Sequence, residues 1–110
     1  MKKLVSITII AMALSAVSLW AEDAKANYEK ECAKCHGPDG AGKTKMGEKL
    51  GIKDYSSAKV QGEMKDDEMA KAIKEGVKDK AGKTRMKGFG ETLNDQDIKA
   101  LVTYIRSLKK

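Results

Sequence analysis

The stretch Cys32-Ala33-Lys34-Cys35-His36 constrains this chain more than any other part of its sequence. Two cysteines three residues apart, with a histidine directly after the second, form the spacing of covalent c-type haem attachment. On a helix the two sulfurs lie about 60° apart around the axis, which suits two anchor points on one edge of a macrocycle. Each thiol can form a thioether with one haem vinyl group, and the adjacent imidazole can reach the iron. The motif therefore predicts one covalently bound haem c.

Other uses of paired cysteines remain open at this point. A thioredoxin-like redox pair would need a βαβ unit, and nothing in the sequence is typical of a parallel sheet. A structural zinc site needs four ligands, whereas the chain contains two cysteines and one histidine in total. A disulfide would leave the adjacent histidine unexplained. The thiol-disulfide module is the strongest of these alternatives.

The first 21 residues have the pattern of a secretory signal peptide. Two lysines precede an apolar run at 4–19 that is broken only by serine and threonine. Cleavage after Ala21 fits best, and cleavage after Ser18 is the alternative. An uncleaved membrane anchor would need about 20 apolar residues, and this run is shorter. We therefore expect a signal peptide at 1–21 and a single domain at 22–110 that is exported to the periplasm, soluble and not inserted in the membrane.

The composition fits a small domain built around a cofactor. The single tryptophan lies in the predicted signal peptide, so three tyrosines and one phenylalanine are the aromatic residues of the exported domain. A chain this small buries a modest fraction of its surface, and a large apolar cofactor would supply part of the missing core. The net charge of +6 comes mostly from lysines without interleaved aromatic residues, so nucleic-acid binding is not expected.

Apolar spacing predicts a helix at each end of the exported domain. Residues 23–35 place Ala24, Tyr28 and both cysteines on one stripe, so this helix presents the cysteines on its buried face. The last helix begins with Asn94 as N-cap and Asp97 three residues later, a variant of the capping box. Its apolar stripe consists of Ile98, Leu101, Val102, Ile105 and Leu108.

The pattern between these helices is weaker. Glycines at 37–42 predict a loop that turns the chain around the haem edge. Residues 43–51 favour a short helix, with Leu50 as a candidate for packing on the ring. Residues 54–64 show no periodicity and are left unassigned.

A further helix is predicted to start with Asp66 as N-cap and to end at Gly76. Residues 77–90 then form a second polar loop, rich in lysine and glycine. This loop contains Met86, and a methionine in so polar a segment is not an ordinary core residue.

Taken together, these motifs resemble those of small bacterial class I c-type cytochromes. The matching stretches are 32–37, 47–51, 86–90 and 93–108, and their order and spacing agree over nearly all of residues 24–108. The resemblance implies an all-α cytochrome c fold, with three to four helices wrapped around one haem. It also implies that the N- and C-terminal helices cross.

The resemblance assigns roles to four residues. It implies thioethers from Cys32 and Cys35, with His36 as the proximal iron ligand and Met86 as the distal ligand. One departure concerns the histidine. Many family members have Gly-Pro where this chain has Gly-Glu at 47–48, and in some a proline carbonyl accepts the hydrogen bond of the histidine Nδ1. Some other backbone carbonyl is therefore expected to orient the imidazole here.

The distal ligand can also be weighed without the family. Met46 follows His36 by ten residues, so a compact loop would have to fold round the ring edge. Met69 belongs to a helical core stripe, and Met64 just precedes that helix. Met86 lies fifty residues after the histidine, between two helices, which would let it close the opposite face. Met86 is therefore the favoured ligand and Met64 the second candidate.

Iron held by histidine and methionine has no open position for a substrate, and a neutral thioether favours Fe(II). We therefore expect a monomeric one-electron carrier of a respiratory chain rather than an enzyme. Its expected partners are redox proteins, such as membrane oxidoreductase complexes or terminal reductases and oxidases, that dock transiently. A haem enzyme or a gas sensor would need an open or labile distal position.

Lysines near the motifs either ring the haem edge or are ordinary solvated side chains: Lys34, Lys43, Lys45, Lys83 and Lys87.

Overall fold

The computed structural model describes residues 23–110, so the predicted signal peptide at 1–21 lies outside the described residues. Helix α1 covers residues 23–36. The elements that follow are α2 (Lys45–Leu50), α3 (Ala58–Glu63), α4 (Asp66–Glu75), β1 (Gly76–Lys78), β2 (Thr84–Lys87) and α5 (Asp95–Ser107). The described part of the chain is mostly helical, as the all-α prediction requires, and none of its helices is long and apolar enough to cross a membrane.

Helix α1 carries the attachment motif at its C-terminal end and changes its winding just before it. Residues 23–27 are α-helical, Tyr28–Cys32 form a π-helical turn, and Ala33–His36 return to the α form. The Ala33 N–H donates to the Tyr28 carbonyl across the wider turn. Ala24, Tyr28 and Cys32 are buried and Cys35 is half-buried, so the predicted apolar face of this helix is confirmed as far as Cys32.

Helix α5 supplies much of the core. The Asn94 side chain accepts a hydrogen bond from the Asp97 N–H at 2.8 Å, and Asp97 Oδ2 accepts one from the Asn94 N–H at 3.1 Å. The predicted capping box is therefore confirmed. The buried residues of its apolar face are Ile98, Leu101, Val102 and Ile105, with Leu108 packed against the same cluster.

The first and last helices pack against each other. Tyr28 is fully buried, and its ring centroid lies 5.1 Å from that of Tyr104 on α5. Ala24, near the start of α1, and Ala100, in the middle of α5, line the same small cleft. These contacts join the helix that carries the cysteines to the most strongly capped helix of the chain.

The middle of the chain differs from the sequence prediction at one helix boundary and contains one helix that the prediction left unassigned. Asp66 is the first residue of α4 rather than its N-cap, and that position is held by Lys65. Helix α3 lies in the segment that periodicity left unassigned. It has one turn and a half, capped by Ser57 through a 3.4 Å bond from the Val60 N–H, and is too short to show a helical period.

The polar loop predicted at 77–90 contains a two-stranded antiparallel hairpin instead. Val77 of β1 pairs with Met86 of β2, with a bulge after Val77. Asp79 holds the turn, because its Oδ1 accepts two backbone N–H groups at 2.9 Å. Strands this short and lysine-rich carry almost no sequence signal, which is why the loop prediction was wrong.

The base of the hairpin is fixed to the C-terminal end of α4. The Phe89 N–H donates to the Ile73 carbonyl at 2.8 Å, and the Gly90 N–H donates to the Lys74 carbonyl at 3.0 Å. A Cβ at Gly88 would lie 2.6 Å from the same Lys74 oxygen, so the chain approaches α4 more closely than another residue allows. This attachment determines where the second strand, and Met86 with it, is held.

Candidate functional site

The structure brings the four predicted site residues together. Cys32, Cys35 and His36 from α1 and Met86 from β2 line one cavity of about 530 Å³. Cofactor pockets have volumes of roughly 300–1,000 Å³. The apolar part of the lining comes from Leu50, Ile52, Tyr55, Val77 and Phe89.

Hydrogen bonds from the following loop fix the end of α1. Thr44 Oγ1 donates to the Cys35 carbonyl at 2.6 Å. The Gly42 N–H donates to the His36 carbonyl at 2.8 Å. The last carbonyls of a helix have no partner within it, so the loop satisfies two groups that would otherwise be unpaired.

Gly47 packs directly on the attachment motif. Its N–H donates to Thr44 Oγ1 at 2.8 Å. A Cβ at this position would lie 2.3 Å from the Gly42 carbonyl oxygen and 2.6 Å from that of Cys35. Only glycine fits so close to two backbone groups, and the start of α2 thereby supports the motif from behind.

Tyr28 supports the motif from the core side. Its buried hydroxyl donates to the carbonyl of Gly37, the residue after His36, at 2.7 Å. Burial raises the pKa of Tyr28 above its ordinary value, so the hydroxyl keeps its proton and remains a donor. The residue that follows the histidine is therefore fixed to the middle of α1.

The His36 imidazole is in the form that binds a metal. Burial lowers its pKa, and the ring is therefore neutral around pH 7. Its Nδ1 is buried and has no hydrogen-bond partner among the described residues. The backbone carbonyl that the family pattern led us to expect at Nδ1 is thus not in place. The ring stacks instead on Tyr55, with centroids 5.1 Å apart and planes at 22°.

The two cysteines do not form a disulfide, and their environment opposes a thiol-disulfide role. Burial, with a smaller contribution from the Glu31 carboxylate, raises the pKa of Cys32 to about 11. Reactive redox thiols instead have a lowered pKa. The sheet within residues 23–110 is antiparallel, so this part of the chain has no βαβ unit. Nor do these residues contain a group of three or more His, Cys, Asp or Glu side chains that could hold zinc.

Met86 is the one described methionine that lines the cavity. Met46 is 45 % exposed, and Met69 packs against the hydrophobic core. The Met64 carbonyl accepts a hydrogen bond from Arg106 at 2.7 Å, in a network outside the cavity lining. The cavity geometry therefore favours Met86 over the second candidate.

Basic side chains line much of the cavity. They are Lys30, Lys34, Lys53, Arg85 and Lys87. Of the five lysines predicted around the haem edge, Lys34 and Lys87 line the cavity. The other three, Lys43, Lys45 and Lys83, are exposed and do not line it.

Sequence reasoning missed three of these basic residues and also Tyr55. Tyr55 lies in the segment without periodicity, and its only signal was that aromatic residues are scarce in the exported domain. Arg85 directly precedes Met86, and its guanidinium donates to the Leu50 carbonyl. That bond joins the hairpin to the end of α2, which no sequence pattern would reveal.

Comparison with known proteins agrees with this geometry. The Cytochrome c family model matches residues 21–109. No curated protein shows a significant match. Among solved structures, the c-type cytochrome KustC0563 is 34 % identical with a TM-score of 0.69, and the match covers 80 % of this chain and 99 % of that one. A tyrosine-to-phenylalanine mutant of Kustc0563 is 32 % identical with a TM-score of 0.66, covering 79 % and 99 %.

The residues of the cavity fit the cofactor of that family, haem c. Two free thiols, a neutral imidazole and a methionine line one cavity together with five apolar side chains. The family match spans most of the sequence, and the solved cytochrome is aligned over nearly its whole length. The chain belongs to the cytochrome c family and binds haem c.

Proposed function

We propose that this protein is a periplasmic one-electron carrier whose haem iron is held by His36 and Met86. One observation carries the proposal: two different elements, α1 and β2, bring these side chains to the same cavity. Cys32 and Cys35 would hold the cofactor through thioethers. Haem c, when bound, supplies an Fe(III)/Fe(II) couple for transfer of one electron.

The chain's own part is to keep the ligand positions constant between oxidation states. The bonded carbonyls at the end of α1 hold the imidazole side, and the base of the hairpin holds the methionine side. Apolar lining residues exclude water, and a neutral thioether favours the reduced state. A site with both axial positions filled by the chain suits electron transfer.

An enzymatic role has little support from the residues present. A haem peroxidase would need an open distal position with a polar catalytic group beside it. The chain contains a single histidine, His36, which is assigned to the iron. The side chain that faces Met86 across the hairpin is Val77, which offers no acid or base.

The basic lining suggests the chemistry of the partners. Four lysines and one arginine line the cavity, against one acidic residue, Glu31. We propose that the protein docks transiently, as a monomer, on acidic surfaces of respiratory redox complexes. Electron-transfer rates with such a partner should then fall steeply as ionic strength rises. A rate that is independent of salt would reject this steering.

Export rests on the signal-peptide pattern of the first 21 residues. A mature protein whose mass lacks Trp20 would support cleavage after Ala21. A mass that retains this tryptophan would reject that cleavage site.

The ligand assignment is tested most simply by optical spectroscopy of the oxidised holoprotein. Met86→Ala should abolish the sulfur-to-iron charge-transfer band. Met46→Ala is the matched control, because Met46 is exposed and does not line the cavity. Met64→Ala tests the second candidate. A band that survives in Met86→Ala would reject Met86 as the ligand.

A further inference from the structure

Tyr55, which stacks on His36, is held by hydrogen bonds to residues that are distant from the histidine. The Tyr55 N–H donates to the Gly40 carbonyl at 2.8 Å, and the Tyr55 carbonyl accepts from Gln61 Nε2 at 2.6 Å. Both sides of the residue are therefore fixed, one to the loop after the attachment motif and one to α3. Its ring is partly buried and lines the haem cavity.

The Gln61 side chain links Tyr55 to α5. Gln61 is 5 % exposed, and its Nε2 also donates to the Ile105 carbonyl at 2.9 Å. Arg106 Nη1 donates to Gln61 Oε1 at 3.1 Å and to the Gln61 carbonyl at 2.5 Å. We call this arrangement of Gln61 and Arg106 the polar clamp. It satisfies every polar atom of a buried amide, so the peptide that carries Tyr55 has a single well-defined position.

Arg106 is itself held in place. Its Nη2 donates to the Met64 carbonyl and forms an ion pair with Asp66 at 2.8 Å. Nε donates to the same carboxylate at 2.9 Å. The guanidinium thus spans the gap between α3 and α4 with all of its nitrogens engaged.

The orientation of the His36 ring has to be fixed by a neighbouring group. In most metal sites a hydrogen bond at the second imidazole nitrogen fixes the ring orientation. Here Nδ1 has no partner among the described residues, and the near-parallel Tyr55 ring, at 22° and 5.1 Å, lies against the imidazole instead. Contact between two ring faces restricts rotation of either ring, whether or not a hydrogen bond is present.

We propose that Tyr55 is a positioning residue for the iron ligand: its ring, held by the polar clamp, sets the plane of the His36 imidazole. This inference rests on the proposed ligation of iron by His36. The plane of an axial imidazole, together with the orientation of the methionine sulfur lone pair, determines how unpaired spin is distributed over the macrocycle in the oxidised state. Rotating that plane therefore redistributes the paramagnetic shifts of the haem methyl protons.

The test is proton NMR of the oxidised holoprotein, with the midpoint potential measured beside it. Tyr55→Leu removes the stacked ring and should change the order or spread of the haem methyl shifts and move the potential. Tyr55→Phe keeps the ring and should retain the wild-type pattern. Gln61→Leu frees the Tyr55 carbonyl and should change the pattern in the same sense as Tyr55→Leu, but less.

Tyr104→Leu is the matched control. Tyr104 is also a partly buried tyrosine, but it packs on Tyr28 and does not line the cavity. The Tyr104→Leu variant should have a lower melting temperature and unaltered haem methyl shifts. The charge-transfer band, recorded for each variant, shows whether the methionine ligand is still bound.

Two results would overturn the inference alone: unchanged methyl shifts in Tyr55→Leu, or a change in Tyr55→Phe as large as that in Tyr55→Leu. The first would show that the ring does not set the imidazole plane, and the second that the hydroxyl acts instead. A wild-type holoprotein whose spectrum lacks an imidazole ligand would overturn the proposed function as well. The two failures are therefore distinguishable.

Discussion

The two walls of the haem cavity are built in different ways. The wall that carries His36 is a helix end enclosed by other elements, with Thr44, Gly42 and Tyr28 bonded to its carbonyls or to the next residue. The wall that carries Met86 is a short hairpin, fixed to α4 at its base but exposed along most of its length.

The difference indicates which ligand position depends on the cofactor. Bonds at the histidine wall involve buried or partly buried groups, which are costly to break. The hairpin has exposed backbone bonds and few buried side chains, the features of segments that open at low free energy. We therefore infer that the histidine wall is fixed by the protein fold, whereas the methionine wall would gain much of its order from the proposed bond to iron.

The largest expected effect is that of Gly47→Ala in the histidine wall. The added Cβ would overlap two carbonyl oxygens of the attachment region, so the free energy of unfolding should fall by about 3 kcal/mol. Denaturant unfolding of the holoprotein measures this. Gly62→Ala is the control, since its Cβ would meet nothing within 4 Å and alanine favours helix α3 by up to about 1 kcal/mol. Equal stability of the two variants would contradict the close packing at Gly47.

A smaller decrease in the free energy of unfolding is expected for Arg106→Leu. The variant leaves Gln61 Oε1 and the Met64 carbonyl without their donor, and the Gln61 carbonyl keeps only the Met64 N–H at 3.4 Å, so the loss is about 2 kcal/mol. Thermal or denaturant unfolding provides the measurement. Lys99→Leu, an exposed position on the same helix, should change stability by less than about 0.5 kcal/mol. If Arg106→Leu proved as mild as this control, the polar clamp would not contribute to stability.

The smallest effects are expected from a matched pair of exposed aspartates, one in each wall. Asp79 Oδ1 accepts two N–H groups in the hairpin turn, and Asp39 Oδ1 accepts the Ala41 N–H in the loop after the motif. Each alanine variant should cost about 0.5–1 kcal/mol, as expected for loss of an exposed turn hydrogen bond. Hydrogen exchange should show faster opening of the hairpin alone in Asp79→Ala. Faster exchange of α1 in the same variant would mean that the two walls open as one unit.

Local patterns in the sequence were sufficient to predict the ends of the fold. The stripe around Tyr28 and the capping box of Asn94 and Asp97 depend on residues within one or two helical turns, so spacing alone reveals them. The cysteines and the histidine could be predicted equally well, because their motif consists of five consecutive residues.

The parts that were missed depend on contacts between distant segments. The pairing of Val77 with Met86 is a backbone arrangement that the polar side chains around it do not encode. The position of Tyr55 depends on Gln61 and on an arginine 45 residues further along the chain. Such a network becomes visible only when α5 has been placed on the rest of the fold.

We propose above that the chain itself fills both axial positions of the iron. The most direct measurement is the Soret spectrum of the reduced holoprotein before and after addition of CO, with Met86→Ala as the variant that should bind the gas. We expect no rapid shift in the wild-type protein and a prompt shift in the variant. A rapid shift in the wild-type protein would contradict a closed histidine–methionine site and favour a sensor or an enzyme.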